Sequence, residues 1–108
     1  MNQYLYRIQP TRWEMLTEGA TPFEQEKIGE HFAYLEKLVQ RGVALLAGRT
    51  QSPSRDGMGI VIFRAADDMA ARKIVDEDPA VEAGAFAAQL FPFRVALLAR
   101  DHTPWLPE

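Results

Sequence analysis

The chain has 108 residues, of which 47% are hydrophobic and 25% are charged, a composition typical of one ordinary globular domain. It contains no cysteine, which excludes disulfides, thiolate metal sites and a cysteine nucleophile. The net charge of −3 disfavours nucleic-acid binding and no stretch approaches the roughly 18 apolar residues of a membrane span, so we expect a cytoplasmic protein with neither partner.

The first two predicted elements are a strand and an irregular connection. Residues 4–8 alternate so that Tyr4, Tyr6 and Ile8 share one face of a strand. Residues 11–20 show no clear period, and we expect a connection there that contains one helical turn.

A long helix is predicted to begin just after Thr21. Thr21 can cap it, Pro22 suits its first position, and Glu24 completes a capping box. The helix is expected to run to Arg41, with Gly42 as the glycine that follows its C-terminus. Its predicted apolar stripe consists of Ile28, Phe32, Leu35, Leu38 and Val39.

The remaining strands are predicted from short apolar runs. Strands are expected over residues 43–48 and 59–63, joined by an exposed loop over residues 51–57. A last strand is expected over residues 86–98, and residues 100–108 are expected to form a surface tail.

A second helix is predicted between the third and the last strand. Asp67 or Asp68 can cap it, and it is expected to run to about Glu77, where the pair Asp78-Pro79 breaks it. Its predicted inward residues are Ala71, Ile74 and Val75.

The order βαββαβ predicts a single domain over residues 1–108 with a ferredoxin-like α+β fold. Right-handed crossovers place both helices on one face of a four-stranded antiparallel sheet. The last strand is apolar on both sides, which is typical of a strand buried on both, so we expect the free sheet face to pack against a second copy in a homodimer. One side carries Phe86 and Leu90, and the other carries Phe91, Phe93, Val95 and Leu97.

His31 is a polar residue on the apolar face of the first long helix. At about 100° per residue it lies between Leu35 and Leu38, inside the apolar arc. A histidine in a pocket is a natural general acid or base, because it titrates near neutrality. The alternative is a partly buried histidine that is satisfied by a backbone carbonyl.

Asp78 continues the inward stripe of the second helix. One interpretation is that it caps a short turn that begins at Pro79. The other is that it holds one ring nitrogen of His31 and fixes its tautomer. The two are compatible, because a carboxylate has several acceptor positions.

Other residues are weaker candidates for binding. Arg7 and Arg49 could hold an anionic group of a substrate, and Tyr34 could line a pocket, although Arg7 points to the opposite strand face from Tyr6. Residues 56–63 resemble a strand motif of RNA-recognition domains, but aliphatic residues stand at positions 58 and 60, where that motif has aromatic ones.

The sequence predicts neither a metal site nor a bound cofactor. The two histidines, His31 and His102, are far apart and have no clustered carboxylates beside them. A glycine loop for a nucleotide is also lacking in the sequence.

Three segments resemble the YCII-related (YciI-like) family. They are His31-Phe32-Ala33-Tyr34-Leu35, then Gly42 with Leu45-Leu46-Ala47-Gly48, and Asp78-Pro79-Ala80-Val81-Glu82-Ala83-Gly84. The resemblance runs from about residue 4 to residue 97. One departure is Arg49, where many members carry a proline.

The resemblance implies a dimeric α+β barrel protein with a catalytic histidine–aspartate pair at His31 and Asp78. Muconolactone isomerases and small monooxygenases are members of the wider superfamily, and a dehydrochlorinase is known among YciI-like proteins. The resulting hypothesis is a cofactor-free lyase or isomerase acting on a small anionic cyclic or unsaturated compound. The alternatives are a non-catalytic small-molecule-binding or accessory dimer, and a purely structural dimer.

Overall fold

The computed structural model describes residues 1–52 and 54–107, so Pro53 of the predicted loop and Glu108 of the predicted tail lie outside it. The described strands are β1 (Asn2–Pro10), β2 (Ala44–Arg49), β3 (Gly59–Ala65) and β4 (Phe86–Phe93). They form an antiparallel sheet in the order β2-β3-β1-β4, which confirms the ferredoxin-like α+β prediction.

Two longer helices and two short ones connect the strands. The longer helices are α2 (Pro22–Gln40) and α3 (Asp68–Asp76), and the short ones are α1 (Glu14–Thr17) and α4 (Pro79–Glu82). A turn of 3₁₀ helix follows at Thr103–Trp105. Among the described residues, no helix combines the length and the apolar character that a bilayer crossing requires.

Helix α2 begins at Pro22, as the sequence predicts, and ends at Gln40, one residue before the predicted Arg41. The capping box is present in both directions, since Thr21 Oγ1 accepts the backbone N–H of Glu24 and Glu24 accepts that of Thr21. After the cap residue Arg41, Gly42 has a φ of 71°, a left-handed conformation that glycine adopts without steric cost.

The predicted stripe of α2 is wrong at two positions. Phe32 is 67% exposed and Val39 is 45% exposed. α2 buries the predicted Leu35 and Leu38, together with the polar residues Glu24 and His31. On a helical wheel this buried arc centres near His31, and Phe32 and Val39 lie about 80–100° from that direction. The sheet covers a narrower arc than the hydrophobic pattern suggests.

The core lies between the helices and one face of the sheet. Tyr4, Tyr6 and Ile8 of β1 are all buried on that face, as the alternation predicts. The ring of Phe63 on β3 packs 5.7 Å from the rings of both tyrosines. Tyr6 therefore faces the helices from the middle of the sheet.

The opposite sheet face carries an apolar row, which we call the open face. Strand pairing aligns Leu46 with Ile62, Ile62 with Leu5, and Leu5 with Phe91, one residue from each strand. Leu46 is 40% exposed and Phe91 is 43% exposed. This is the face on which the sequence predicts a second copy.

The prediction of a last strand reaching residue 98 is wrong, because β4 ends at Phe93. Phe93 pairs with Gln3, and β1 begins only one residue before Gln3. Beyond Phe93 the strand therefore runs out of a backbone partner in its own sheet. The next contact is made by a side chain, as Val95 N–H donates to Gln3 Oε1 at 2.7 Å.

The capping carboxylate of α2 makes the stability of the fold sensitive to acid. Two guanidinium nitrogens of Arg12 contact Glu24 at 2.8 and 3.0 Å, and they, with the backbone N–H of Thr21, hold the pKa of Glu24 down to about 2. A depressed carboxyl pKa stabilises the fold above the ordinary value of 4.5, and this contribution is lost as the pH falls towards 2.

We therefore expect Glu24→Gln to lower the melting temperature most above pH 4.5 and hardly at all near pH 2. Thermal unfolding followed by circular dichroism across this range measures the difference. Glu26→Gln, on the exposed side of the same helix, is the matched control. A melting-temperature difference for Glu24→Gln that is constant across this pH range would contradict the assignment.

Candidate functional site

Asp78 is fixed at the junction between α3 and α4. Pro79 cannot continue α3. Asp78 therefore takes an extended conformation, with φ −61° and ψ 120°, and becomes the N-cap of α4. Its Oδ1 accepts the backbone N–H of Ala80 at 3.0 Å. The residue is 0% exposed, so the cap places a carboxylate inside the protein.

The second oxygen of this carboxylate contacts His31. Nδ1 of His31 lies 2.6 Å from Oδ2 of Asp78, and His31 is 8% exposed. The ring of His31 packs on that of Phe86 of β4 in an edge-to-face arrangement, with ring centroids 5.2 Å apart. Each oxygen of Asp78 thus serves one of the two roles that the sequence allows, the cap at Oδ1 and the histidine contact at Oδ2.

A third donor reaches the same carboxylate from the sheet. The hydroxyl of Tyr6 donates to Oδ2 of Asp78 at 3.0 Å. Burial, followed by the charge of Asp78, raises the pKa of Tyr6 well above its usual value, so this hydroxyl remains a donor. The three contacts suit an ionised carboxylate, which accepts at both oxygens.

This arrangement assigns the tautomer of His31. An ionised carboxylate can only accept, so Nδ1 carries the hydrogen and Nε2 of the neutral ring holds the lone pair. The described residues give Nε2 no hydrogen bond, and the His31 side chain keeps 11% of its surface exposed. The imidazole can therefore accept a proton at Nε2 while Asp78 stabilises the cation that results.

Tyr34 lies one turn after His31 on α2 and links this helix to the end of α3. Its hydroxyl donates to the carbonyl of Ile74 at 2.6 Å. Burial and the charges of Glu77 and Asp78 raise the pKa of Tyr34 to about 12, so the phenol is neutral at ordinary pH. The structure thus places Tyr34 near the pair, with its donor already engaged.

The two arginines predicted to hold an anion lie elsewhere in the chain. Arg7 pairs with Ile60 and Gln89 on the open face, opposite the helices, and its guanidinium contacts the Gln89 side chain. Arg49 ends the edge strand β2, and two strands separate it from β4. Within one chain the structure therefore does not bring Arg7 or Arg49 to His31.

The described clefts also lie away from His31. One, of about 250 Å³, is lined by residues that include Thr11, Trp13 and Arg55. The other, of about 580 Å³, is an open depression beside Tyr4 and Asp68. Over residues 1–52 and 54–107, no group of three or more His, Cys, Asp or Glu side chains is arranged to hold a metal ion.

The sequence did not show the contact between Tyr6 and Asp78. A tyrosine predicted to face a core must find a hydrogen-bond partner for its hydroxyl, and this was the available signal. The partner lies 72 residues away in the chain, so strand alternation alone could not name it.

The sequence profile of the YCII-related domain matches residues 12–94. The chain belongs to the YCII-related family. None of the curated proteins matches the chain. A solved structure, 5-chloro-2-hydroxyhydroquinone dehydrochlorinase (TftG) from Burkholderia phenoliruptrix AC1100 in complex with 2,5-dihydroxybenzoquinone, is similar with a TM-score of 0.60 and 19% identity. The similarity covers 84% of this chain and 93% of that one, and it shows a common fold.

Proposed function

We propose that this YCII-related protein is a cofactor-free enzyme of the lyase or isomerase type, in which His31 moves a proton on a small cyclic or unsaturated compound. The observation that carries the proposal is the 2.6 Å contact between Nδ1 of His31 and a fully buried carboxylate. This contact commits Nδ1 to Asp78 and leaves Nε2 as the basic atom of a side chain that is 11% exposed.

The proton transfer uses only groups of this chain. Nε2 takes a proton from an acidic C–H or O–H of the substrate, and the imidazolium is paired with Asp78. The proton then returns to another atom of the same compound, as in an isomerisation, or accompanies a leaving group, as in an elimination. Histidine is suited to both directions because its two protonation states are both accessible near neutral pH.

The substrate class is supported by the structural neighbour. That protein is a dehydrochlorinase of a chlorinated hydroxyhydroquinone, and its structure holds a dihydroxybenzoquinone. An oxygenated ring of this kind contains acidic hydroxyl groups and a conjugated system, on which a single base can act. Arg7 and Arg49 are not part of the proposal, because they lie away from His31 in the chain.

Solvent deuterium exchange tests the proposal without knowledge of the complete reaction. Wild type is incubated in D₂O with a panel of hydroxylated and chlorinated hydroquinones and benzoquinones. Incorporation of deuterium into the compound is followed by NMR, and release of chloride is followed with an ion-selective electrode. We expect His31→Gln, which keeps a donor towards Asp78, to lower the rate by about 10²–10⁴-fold. His102→Gln, at the only other histidine of the sequence, is the control and is expected to match wild type.

Equal rates in wild type and His31→Gln would refute the role of His31. If a panel compound raises the melting temperature of both proteins and neither turns it over, the chain is a small-molecule-binding domain. Such a result would favour the accessory function over the enzyme.

We also propose that two copies pair through the open face. Leu46, Ile62, Leu5 and Phe91 form a continuous apolar row there, and the helices cover only the other side of the sheet. Burying such a row removes apolar surface from water, which is the main favourable term in most protein association.

A further inference from the structure

Tyr6 brings a buried hydroxyl to the carboxylate that pairs with His31. Tyr6 is 0% exposed, and its hydroxyl lies 3.0 Å from Oδ2 of Asp78. The same oxygen lies 2.6 Å from Nδ1 of His31. One carboxylate oxygen therefore takes a donor from the sheet and a donor from α2.

We propose that Tyr6 is a positioning residue of this site, whose hydroxyl holds the Asp78 carboxylate in place and shares the negative charge that faces His31. The proposal deepens the proposed function, since it concerns the pair to which proton transfer is assigned. Tyr6 acts through Asp78 and is not itself placed against a substrate.

The sharing follows from the number of acceptor positions. Each carboxylate oxygen has about two lone-pair sites, and Tyr6 and His31 occupy those of Oδ2 while the N–H of Ala80 occupies Oδ1. Hydrogen bonds to the charged form stabilise the carboxylate and draw its charge away from any one donor. Without the hydroxyl, Oδ2 would interact with the imidazole alone.

Loss of the Tyr6 hydroxyl is therefore expected to change the pH at which His31 is protonated. The carboxylate in Tyr6→Phe attracts the imidazolium more strongly, so His31 should take up its proton at higher pH. The charge of Asp78 also acts on Tyr34 of α2, as does that of Glu77, and all of these groups are retained in this variant. Their contribution is the same in the two proteins and cancels in the comparison.

The chain contains a matched control on the same strand. Tyr4 is 2% exposed on the same face of β1, and its hydroxyl donates at 2.7 Å to Oδ1 of Asp68. Tyr4→Phe thus removes the same group from another carboxylate, one that makes no contact with a histidine in the described part of the chain. Any general effect of losing a buried tyrosine hydroxyl appears in both variants.

The experiment is a histidine-selective ¹H–¹⁵N NMR titration of the protein without substrate. The sequence has two histidines, so His102 in the exposed tail is an internal reference. We expect Tyr6→Phe to raise the titration midpoint of the His31 ring by about half a pH unit or more, with the same tautomer at high pH. Tyr4→Phe should leave His31 at its wild-type midpoint, and His102 should be unchanged throughout.

A folded Tyr6→Phe protein with the wild-type His31 titration would overturn the proposal, as would an equal shift in Tyr4→Phe. If Tyr6→Phe does not fold, 3-fluorotyrosine incorporation into the Tyr4→Phe, Tyr34→Phe background labels Tyr6 alone, because the sequence has three tyrosines. The more acidic phenol is a stronger donor, so the midpoint of His31 should then fall, and an unchanged midpoint counts against Tyr6.

This result is independent of turnover. A protein without activity on any compound still reports whether Tyr6 acts on His31 through Asp78. Conversely, turnover that depends on His31, together with an unshifted His31 titration in Tyr6→Phe, would support the proposed enzyme function and contradict the positioning role of Tyr6.

Discussion

Asp78→Asn is expected to lower the turnover of any substrate of this site by about 10²–10⁴-fold, because it reverses the tautomer of His31. The asparagine oxygen is expected to stay on the side of Ala80, because it accepts the N–H of Ala80 at the helix cap. Its amide nitrogen then faces His31 and donates to Nδ1. The hydrogen of the neutral ring moves to Nε2, which is then no longer a base.

Two measurements check this expectation. The ¹⁵N shifts of His31 report the tautomer directly, and the deuterium-exchange assay reports the proton transfer. Asp67→Asn is the matched control, because Asp67 caps α3 through the N–H of Ala70, as Asp78 caps α4, and is not bonded to a histidine within the described residues. Full turnover with an unchanged tautomer in Asp78→Asn would remove Asp78 from the site.

The reciprocal capping box of α2 illustrates what local sequence rules predict well. Thr21, Pro22 and Glu24 adjoin in the chain, so their interaction depends on no distant element. The same holds for Asp78 and Pro79, whose cap is a property of three successive residues. The element order then limits the topology to a few arrangements, of which the ferredoxin-like one is observed.

The candidate site could be predicted in part for a similar reason. Helical phase alone turns His31 towards the core, and the inward stripe of α3 brings Asp78 to the same side. Strand alternation places Arg7 on the sheet face opposite Tyr6. The sequence alone therefore indicated that Arg7 and His31 lie on different sides of the sheet. A role for Arg7 beside His31 in one chain conflicts with that alternation.

The features that could not be predicted depend on distant partners. The width of the buried arc of α2 is set by the sheet beneath it, which is why Phe32 is exposed. The end of β4 is set by the first residues of β1, since Gln3 is the last partner it finds. The hydroxyl of Tyr6 finds Asp78 through the packing of strand, helix and cap together.

A charged substitution on the open face is expected to dissociate the dimer. Phe91 lies at one end of the apolar row, on the edge strand β4, and is 43% exposed in the single chain. We expect wild type to be a dimer at micromolar concentration and Phe91→Glu to weaken it by about 100-fold or more, because a carboxylate buried in an apolar interface loses its hydration without a partner. Sedimentation velocity over a concentration series measures the change.

Phe32→Glu distinguishes this face from the helical surface. Phe32 is 67% exposed on α2, so the same chemical change is made on the other side of the molecule. If the open face is the interface, Phe32→Glu remains a dimer. A dimer that survives Phe91→Glu and dissociates in Phe32→Glu would place the interface on the helices, and a wild-type monomer at micromolar concentration would exclude a stable dimer altogether. Because His31 lies on α2, on the side of the sheet opposite the open face, a monomeric Phe91→Glu protein also shows whether the proton transfer assigned to His31 needs the second copy.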